Sequence, residues 1–293
     1  MILVSASRRT DIAALYSAWF LNRIKEGYCD WRNPFSGQIK RVSLVPEDLI
    51  GIVFWTRHPL PLMPHLAQLS RSGHYFYFQF TITGYDRRLD THGPDPGKAV
   101  DVFRKLAGQL SPALVWWRYD PIILSDQTPA SYHQETFAAL ARKLAGFTER
   151  CTFSFVDWYG KTKRNLAAAA RTHGISFEQP DLETRRALVR DLDAIARPHG
   201  IRLYSCCEDA LLETGVGKAH CVDLEPFRAL RPELLVSLRS APSRTGCGCV
   251  ESVDIGAYDT CVFGCLYCYA TNSRRAALAR RTAHDPRRPF LFR

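Results

Sequence analysis

Apolar positions along the chain fall into short runs that alternate with longer stretches of helical spacing. The first run, residues 2–6, reads Ile-Leu-Val-Ser-Ala. Such short runs, bounded by turn-forming residues, predict strands. Further strands are predicted at 49–56, 75–83, 113–124, 151–158, 201–206 and 253–258. Between them, apolar residues recur every three or four positions, the period of an amphipathic helix. Ile12, Leu15, Trp19, Phe20 and Ile24 predict a helix over 11–25, with Thr10 or Asp11 as its N-cap. Further helices are predicted over 59–72, 98–110, 131–144, 161–171, 182–196 and 269–281. Asn33-Pro34 and Ser36-Gly37 mark turns within 28–48, a loop with room for a short hairpin.

Strand then helix, six times, followed by a seventh strand, implies parallel strands joined by right-handed crossovers. The predicted fold is α/β, a closed or partial (β/α) barrel of the TIM type. A doubly wound open sheet is the alternative, although its G-x-G-x-x-G fingerprint is missing. Residues 1–206 make up the barrel units and 207–252 an irregular, cysteine-bearing excursion with several prolines. Residues 253–281 supply the final strand, loop and helix, and 282–293 a basic tail.

With 293 residues, 46% of them hydrophobic, the chain has enough apolar side chains for a large core. The first residues lack the apolar stretch of a signal peptide. No apolar run approaches the ~18 residues of a membrane span. Ten cysteines without a secretion signal predict metal ligation in a reducing cytoplasm rather than disulfides. The net charge of +10 invites a nucleic-acid reading, but residues 273–293 alone hold seven arginines and one acid, leaving only +4 elsewhere. Basicity is therefore a property of the tail, expected as a solvated, frayed terminus that a nucleic-acid phosphate can meet.

The sharpest chemical signal is Cys261-Val262-Phe263-Gly264-Cys265-Leu266-Tyr267-Cys268, three thiols at C-x3-C-x2-C spacing between a predicted strand and a predicted helix. Thiolates suit zinc and iron–sulfur clusters. Zinc sites favour paired C-x2-C arms, and a fully ligated cluster would borrow Cys247 or Cys249 as a fourth thiolate. The loop resembles the cluster motif of radical S-adenosylmethionine (SAM) enzymes, in which C-x3-C-x-aromatic-C holds a [4Fe–4S] cluster through three irons; Tyr267 occupies the aromatic position. The resemblance implies SAM on the fourth iron, its reductive cleavage to a 5′-deoxyadenosyl radical, and an electron donor such as flavodoxin or ferredoxin. Most radical SAM enzymes carry these cysteines after the first strand, so the chain reads as a circular permutation with its last strand beside its first.

Seven segments extend the likeness: Ser-Arg-Arg-Thr-Asp-Ile at 7–12, Arg-Asn-Pro-Phe at 32–35, Val-Phe-Trp-Thr at 53–56, Phe-Gln-Phe-Thr-Ile-Thr-Gly-Tyr at 78–85, Trp-Arg-Tyr-Asp-Pro-Ile at 117–122, Ser-Phe-Val-Asp at 154–157 and Asp-Ile-Gly-Ala-Tyr at 254–258. Through them the chain resembles an uncharacterised bacterial family, a domain of unknown function with radical SAM-like cysteines at its C-terminus. The Gly-Gly-Glu segment that often meets the SAM amino group is absent after the cysteine loop, and the permutation moves its place to residues 5–11.

In a barrel, polar residues at the C-terminal ends of strands form the site. Arg9, Gln79, Arg118 and Asp120 are the candidates for substrate binding and catalysis. Tyr267, Asp11 and Thr81 are the candidates for cofactor binding. Strand alternation places Gln79 and Thr81 on one face. Set against this, Asp11 also suits a helix cap, and Arg118 with Asp120 a buried ion pair. Cys207, Cys221, Cys247 and Cys249, with Cys206 adjacent, form a second candidate metal set. It suits structural zinc or an auxiliary iron–sulfur cluster, against inert buried thiols. The leading functional reading is a radical SAM-type enzyme acting on a small molecule or peptide, with no membrane association. The alternative is a non-enzymatic iron–sulfur or zinc protein that binds nucleic acid through its tail.

Overall fold

A computed structural model describes residues 1–292; Arg293, the last residue of the predicted tail, lies outside the described residues. In chain order the strands are β1 (Ile2–Ala6), β2 (Tyr28–Arg32), β3 (Ile39–Ser43), β4 (Leu49–Thr56), β5 (Phe76–Thr81), β6 (Val115–Ile122), β7 (Arg150–Phe155), β8 (Arg202–Ser205), β9 (Gly217–Lys218) and β10 (Val253–Asp254). The helices are α1 (Ile12–Leu15), α2 (Ser17–Glu26), α3 (Leu66–Arg71), α4 (Pro96–Gln109), α5 (Ala130–Leu144), α6 (Gly160–His173), α7 (Leu182–Ala196), α8 (Glu225–Leu230) and α9 (Arg274–Thr282). Asp11 caps α1 by accepting from the Ala14 amide at 2.9 Å, as its residue type predicts.

Eight strands form one parallel sheet in the order β10-β1-β4-β5-β6-β7-β8-β9, while β2 and β3 make a separate antiparallel hairpin. The last strand lies beside the first, with Val4 opposite Val253 and Ser5 opposite Asp254. This pairing brings the chain after β10 next to the turn after β1, where Tyr269 Oη donates to Arg8 O at 2.8 Å.

Strand alternation divides the sheet into two faces. Val4, Ile52, Phe54, Phe76, Phe78, Phe80, Val115 and Trp117 join the helices in the main core. Leu3, Val53, Tyr77 and Trp116 point the other way and pack with Ala219, Cys221, Val222 and Phe227. The tract 217–250 thus occupies the face that a barrel would turn inward. Gly51 permits this approach, because a Cβ there would overlap the Phe227 ring. The closed-barrel expectation is corrected accordingly: β9 and β10 are two-residue strands at opposite edges with no ladder between them. A sheet whose inner face is filled by a folded-in tract has no room to curl shut.

The expected frayed tail is a second correction. Trp19, Asn22 and Arg23 donate to the carbonyls of Arg288, Pro286 and Arg287 at 2.9–3.0 Å. The Asp30 amide donates to Pro289 O at 3.0 Å, Leu291 is buried, and the Phe292 ring packs edge-on against Tyr16. The tail is docked on α2 and the hairpin. Among the described residues, no helix is long and apolar enough to cross a membrane.

Candidate functional site

A cavity of ≈ 640 Å³ opens at the C-terminal ends of the strands. Its walls come from residues 7–11 after β1, 55–57 closing β4, Arg118, Asp120 and Pro121 in β6, 154–157 ending β7, and Cys206 and Cys207 after β8. Asp254 of β10, the loop cysteines Cys261, Cys265 and Cys268, and the further thiols Cys221, Cys247 and Cys249 complete it. Both cysteine sets therefore face one space. Phe35, 87% exposed at the hairpin tip, overhangs it.

The 261–268 loop is fixed from several sides. The His92 amide donates to Phe263 O at 3.0 Å, and the Leu266 amide to Leu89 O at 3.0 Å. Thr91 Oγ1 donates to Gly264 O at 2.7 Å. Gly264 adopts φ +67°, and a Cβ there would sit 2.6 Å from Thr91 Oγ1, so the turn between the first two cysteines needs glycine. Asn165 of α6 donates to Leu266 O at 3.0 Å, and Tyr16 to Thr260 O at 2.7 Å.

Arg57 is the electrostatic centre of this loop. Its guanidinium donates to Cys265 Sγ at 2.9 Å, to Tyr267 Oη at 2.8 Å and to both oxygens of Asp90 at 2.7 and 2.5 Å. Burial alone would raise the Asp90 carboxyl, but the Arg57 charge and the hydrogen bonds from Arg57 and Tyr267 hold it below its ordinary value. Burial pushes the Cys261 thiol up to about 12, reinforced by the neighbouring Cys268. Burial also raises Cys265 well above the thiol range, with Arg57 opposing. Metal-free, these two are protonated thiols, and ligation would release their protons.

A second polar knot surrounds Asp254. It accepts from Ser5 Oγ at 2.9 Å, Ser7 Oγ at 2.6 Å, the Arg8 amide at 2.8 Å and the Gly256 amide at 3.0 Å. Arg8 and Arg9 each approach it only to 3.8 Å, so both guanidinium groups keep donors for another anion. Asp11 accepts from Thr56 Oγ1 at 3.0 Å and from the Arg57 amide at 2.7 Å. Burial outweighs these bonds and pushes its carboxyl up to about 6.

The residues singled out in the sequence separate into groups. Arg9 lines the cavity, near the rings of Trp31 and Tyr258 at 5.7 and 5.2 Å. Thr81 also lines it, and Asp120 does so while bound to Arg118 and Ser154. Gln79 is fully buried and donates to Cys221 O at 2.8 Å; it supports a cysteine instead of meeting the cavity. Arg118 reaches the wall but donates to Cys221 Sγ at 3.0 Å. Tyr267 turns its hydroxyl to Asp90 at 2.6 Å. Asp11 acts as helix cap and as acceptor for Arg57. Cys29 and Cys151 are buried in the main core, away from both thiol sets.

Three residues escaped the sequence reading as site members. A charged residue within the apolar run 253–258 was an available signal for Asp254. Asp90 had none, since it arrives from the polar loop 84–97. Cys206 was noted only as a neighbour of Cys207, yet its sulfur lies 3.6 Å from Cys221 Sγ.

The profile of a protein family, described as Domain of unknown function (DUF1848), matches residues 3–270. The chain belongs to this family. The match runs from β1 through the cysteine loop, so DUF1848 takes in the whole parallel sheet and every residue of both thiol sets. No curated protein matches the chain.

Proposed function

We propose that the chain is an iron–sulfur enzyme of the radical SAM type, with Cys261, Cys265 and Cys268 as ligands of a [4Fe–4S] cluster. The observation that carries this reading is a rigid loop of three thiols opening on a cavity large enough for a SAM-sized molecule and part of a substrate. Among the described residues, no group of three or more His, Cys, Asp or Glu side chains converges to hold a single ion. A cluster places each thiolate on a different iron and needs no such convergence. Arg57 fits as a donor to a ligand sulfur, the outer-shell contact that orients and tunes such sites.

When bound, the cluster and SAM would supply reductive cleavage of the sulfonium and a 5′-deoxyadenosyl radical. The chain's own residues bind and orient. Thr10 Oγ1 lines the cavity, is buried and has no hydrogen-bond partner among the described residues, so a ligand group would satisfy it. Arg8 and Arg9 offer free donors for a carboxylate or another anion. Phe35, Trp55 and Tyr258 supply apolar wall and help exclude water. The substrate class this favours is anionic.

Anaerobic reconstitution followed by addition of SAM tests the reading. A paramagnetic signal from the reduced cluster that shifts on adding SAM is expected. It should vanish in Cys261→Ala, Cys265→Ala and Cys268→Ala if the second thiol set is removed in parallel. A fully loaded cluster that ignores SAM refutes it.

A further inference from the structure

The second cysteine set gathers five thiols on one wall of the cavity. Cys206 Sγ meets Cys207 Sγ at 3.7 Å and Cys221 Sγ at 3.6 Å. Cys249 Sγ accepts from the amide of Val222, the residue after Cys221, at 3.3 Å. Three separate stretches deliver these thiols: the end of β8, the segment after β9, and the tract before β10. The sequence reading placed four of them together and left out Cys206.

The surroundings are unlike those of an inert core cysteine, which packs among apolar carbon as Cys29 and Cys151 do. Arg118, 5% exposed, is sandwiched between Cys221 Sγ at 3.0 Å and Asp120. The guanidinium is thus paired with Asp120 and spends a further N–H on a sulfur, as Arg57 does at Cys265. The Cys221 carbonyl is also held, by Tyr77 Oη at 2.9 Å and the Gln79 amide at 2.8 Å. Cys207 adopts φ +65°, a left-handed conformation rare for a side-chain-bearing residue and kept where surrounding structure over-determines it. Gly248, between Cys247 and Cys249, has no room for a Cβ, which would lie 2.9 Å from Ala219 O. The tract is shaped to bring these sulfurs together.

Pairwise sulfur separations of this size suit either two thiolates on one iron or two on zinc. The arrangement separates the cases. One zinc gathers four thiolates at ~2.3 Å around a single point, each about 3.8 Å from all the others. Here Cys206 links Cys207 and Cys221 in a line, five thiols share one cavity wall, and no three candidate ligands among the described residues converge on one ion. An iron–sulfur cluster spreads its thiolates over several irons and is tuned by hydrogen bonds to the ligand sulfurs. We infer that Cys206, Cys207, Cys221, Cys247 and Cys249 form the site of a second iron–sulfur cluster, four as ligands and one as a spare thiol. The cluster faces the shared cavity, and Arg118 donates to its ligand Cys221.

The test removes the first thiol set, so that its outcome is independent of the SAM reading. The full-length Cys261→Ala/Cys265→Ala/Cys268→Ala variant is reconstituted anaerobically with ferrous iron and sulfide. About two to four irons per chain with matching labile sulfide are expected. Adding Cys221→Ala and Cys249→Ala should remove both. Arg118→Lys, made in the triple variant so that all five thiols remain, should keep the iron and shift the reduction potential. One zinc without sulfide, no metal, or iron that survives loss of Cys221 and Cys249 would overturn the proposal. An unchanged potential in Arg118→Lys would overturn the role given to Arg118.

Discussion

Arg57→Leu removes the positive charge paired with Asp90, whose side chain is 5% exposed. The substitution leaves a carboxylate without its counter-ion and strips hydrogen bonds from Tyr267, Cys265 and Thr83. Breaking one side of a buried ion pair costs about 3–5 kcal/mol. For a chain of this size, that is roughly 6–15 °C in melting temperature. The double variant Arg57→Leu/Asp90→Leu removes both charges, and buried pairs replaced by apolar residues are often neutral; it should recover most of the loss. Because burial opposes and Arg57 enforces the low pKa of Asp90, the wild type should hold this stability above the unfolded carboxylate range and lose it as pH falls from that range through the lower folded pKa. Urea unfolding of the metal-free proteins at pH 7 and at about pH 2.5 measures both effects. A single variant within about 1 kcal/mol of wild type, or a double variant weaker than the single, refutes the assignment of Arg57 as anchor of the cysteine loop.

Further outcomes follow from other contacts. Tyr267→Phe should cost about 1–3 kcal/mol by leaving Asp90 and Arg57 short of a partner, read by thermal melting; no loss would mean the hydroxyl does not hold the loop. Gly51→Ala should destabilise through overlap with Phe227, and adding Phe227→Leu should restore part of the loss. In metal-free protein, raising the Asp11 carboxyl from 3.8 to about 6 is worth about 3 kcal/mol. The folded state holds that proton more tightly, so this contribution to stability falls as pH rises from 4 to 6 and is flat above; Asp11→Asn should lack the fall. Removing residues 284–293 should cost at least about 3 kcal/mol, since Leu291 and the bonds to Trp19, Asn22 and Arg23 go with them; an unchanged melting temperature would restore the picture of a free tail.

Much of this architecture was legible because its period is strong. The strands β1 and β4 fall where the apolar runs place them, and α7 spans its predicted residues. The helix read over 11–25 is divided at Tyr16 into α1 and α2, a break that periodicity does not record because the apolar face continues across it. Closure of the sheet was not legible. It depends on where Ala219, Val222 and Phe227 pack, and their tract lacks the alternation that reveals a strand or the period that reveals a helix. The site was half legible. Strand ends named Arg9, Thr81 and Asp120 as lining residues, because position along a parallel strand determines which end a side chain reaches. Partners lie too far away in sequence to be read: Arg118, named at a strand end, and Gln79, named for its face, both serve Cys221, which is more than one hundred residues away in the chain.

The most direct test of the central claim is anaerobic chromatography of the nucleoside released when reduced, reconstituted protein is incubated with SAM. The account predicts 5′-deoxyadenosine and methionine from the wild type, and none from Cys261→Ala, Cys265→Ala or Cys268→Ala. Arg9→Ala should assemble its cluster normally but release less product. A wild type with a full first cluster and no 5′-deoxyadenosine, or equal product from the cysteine variants, would contradict it.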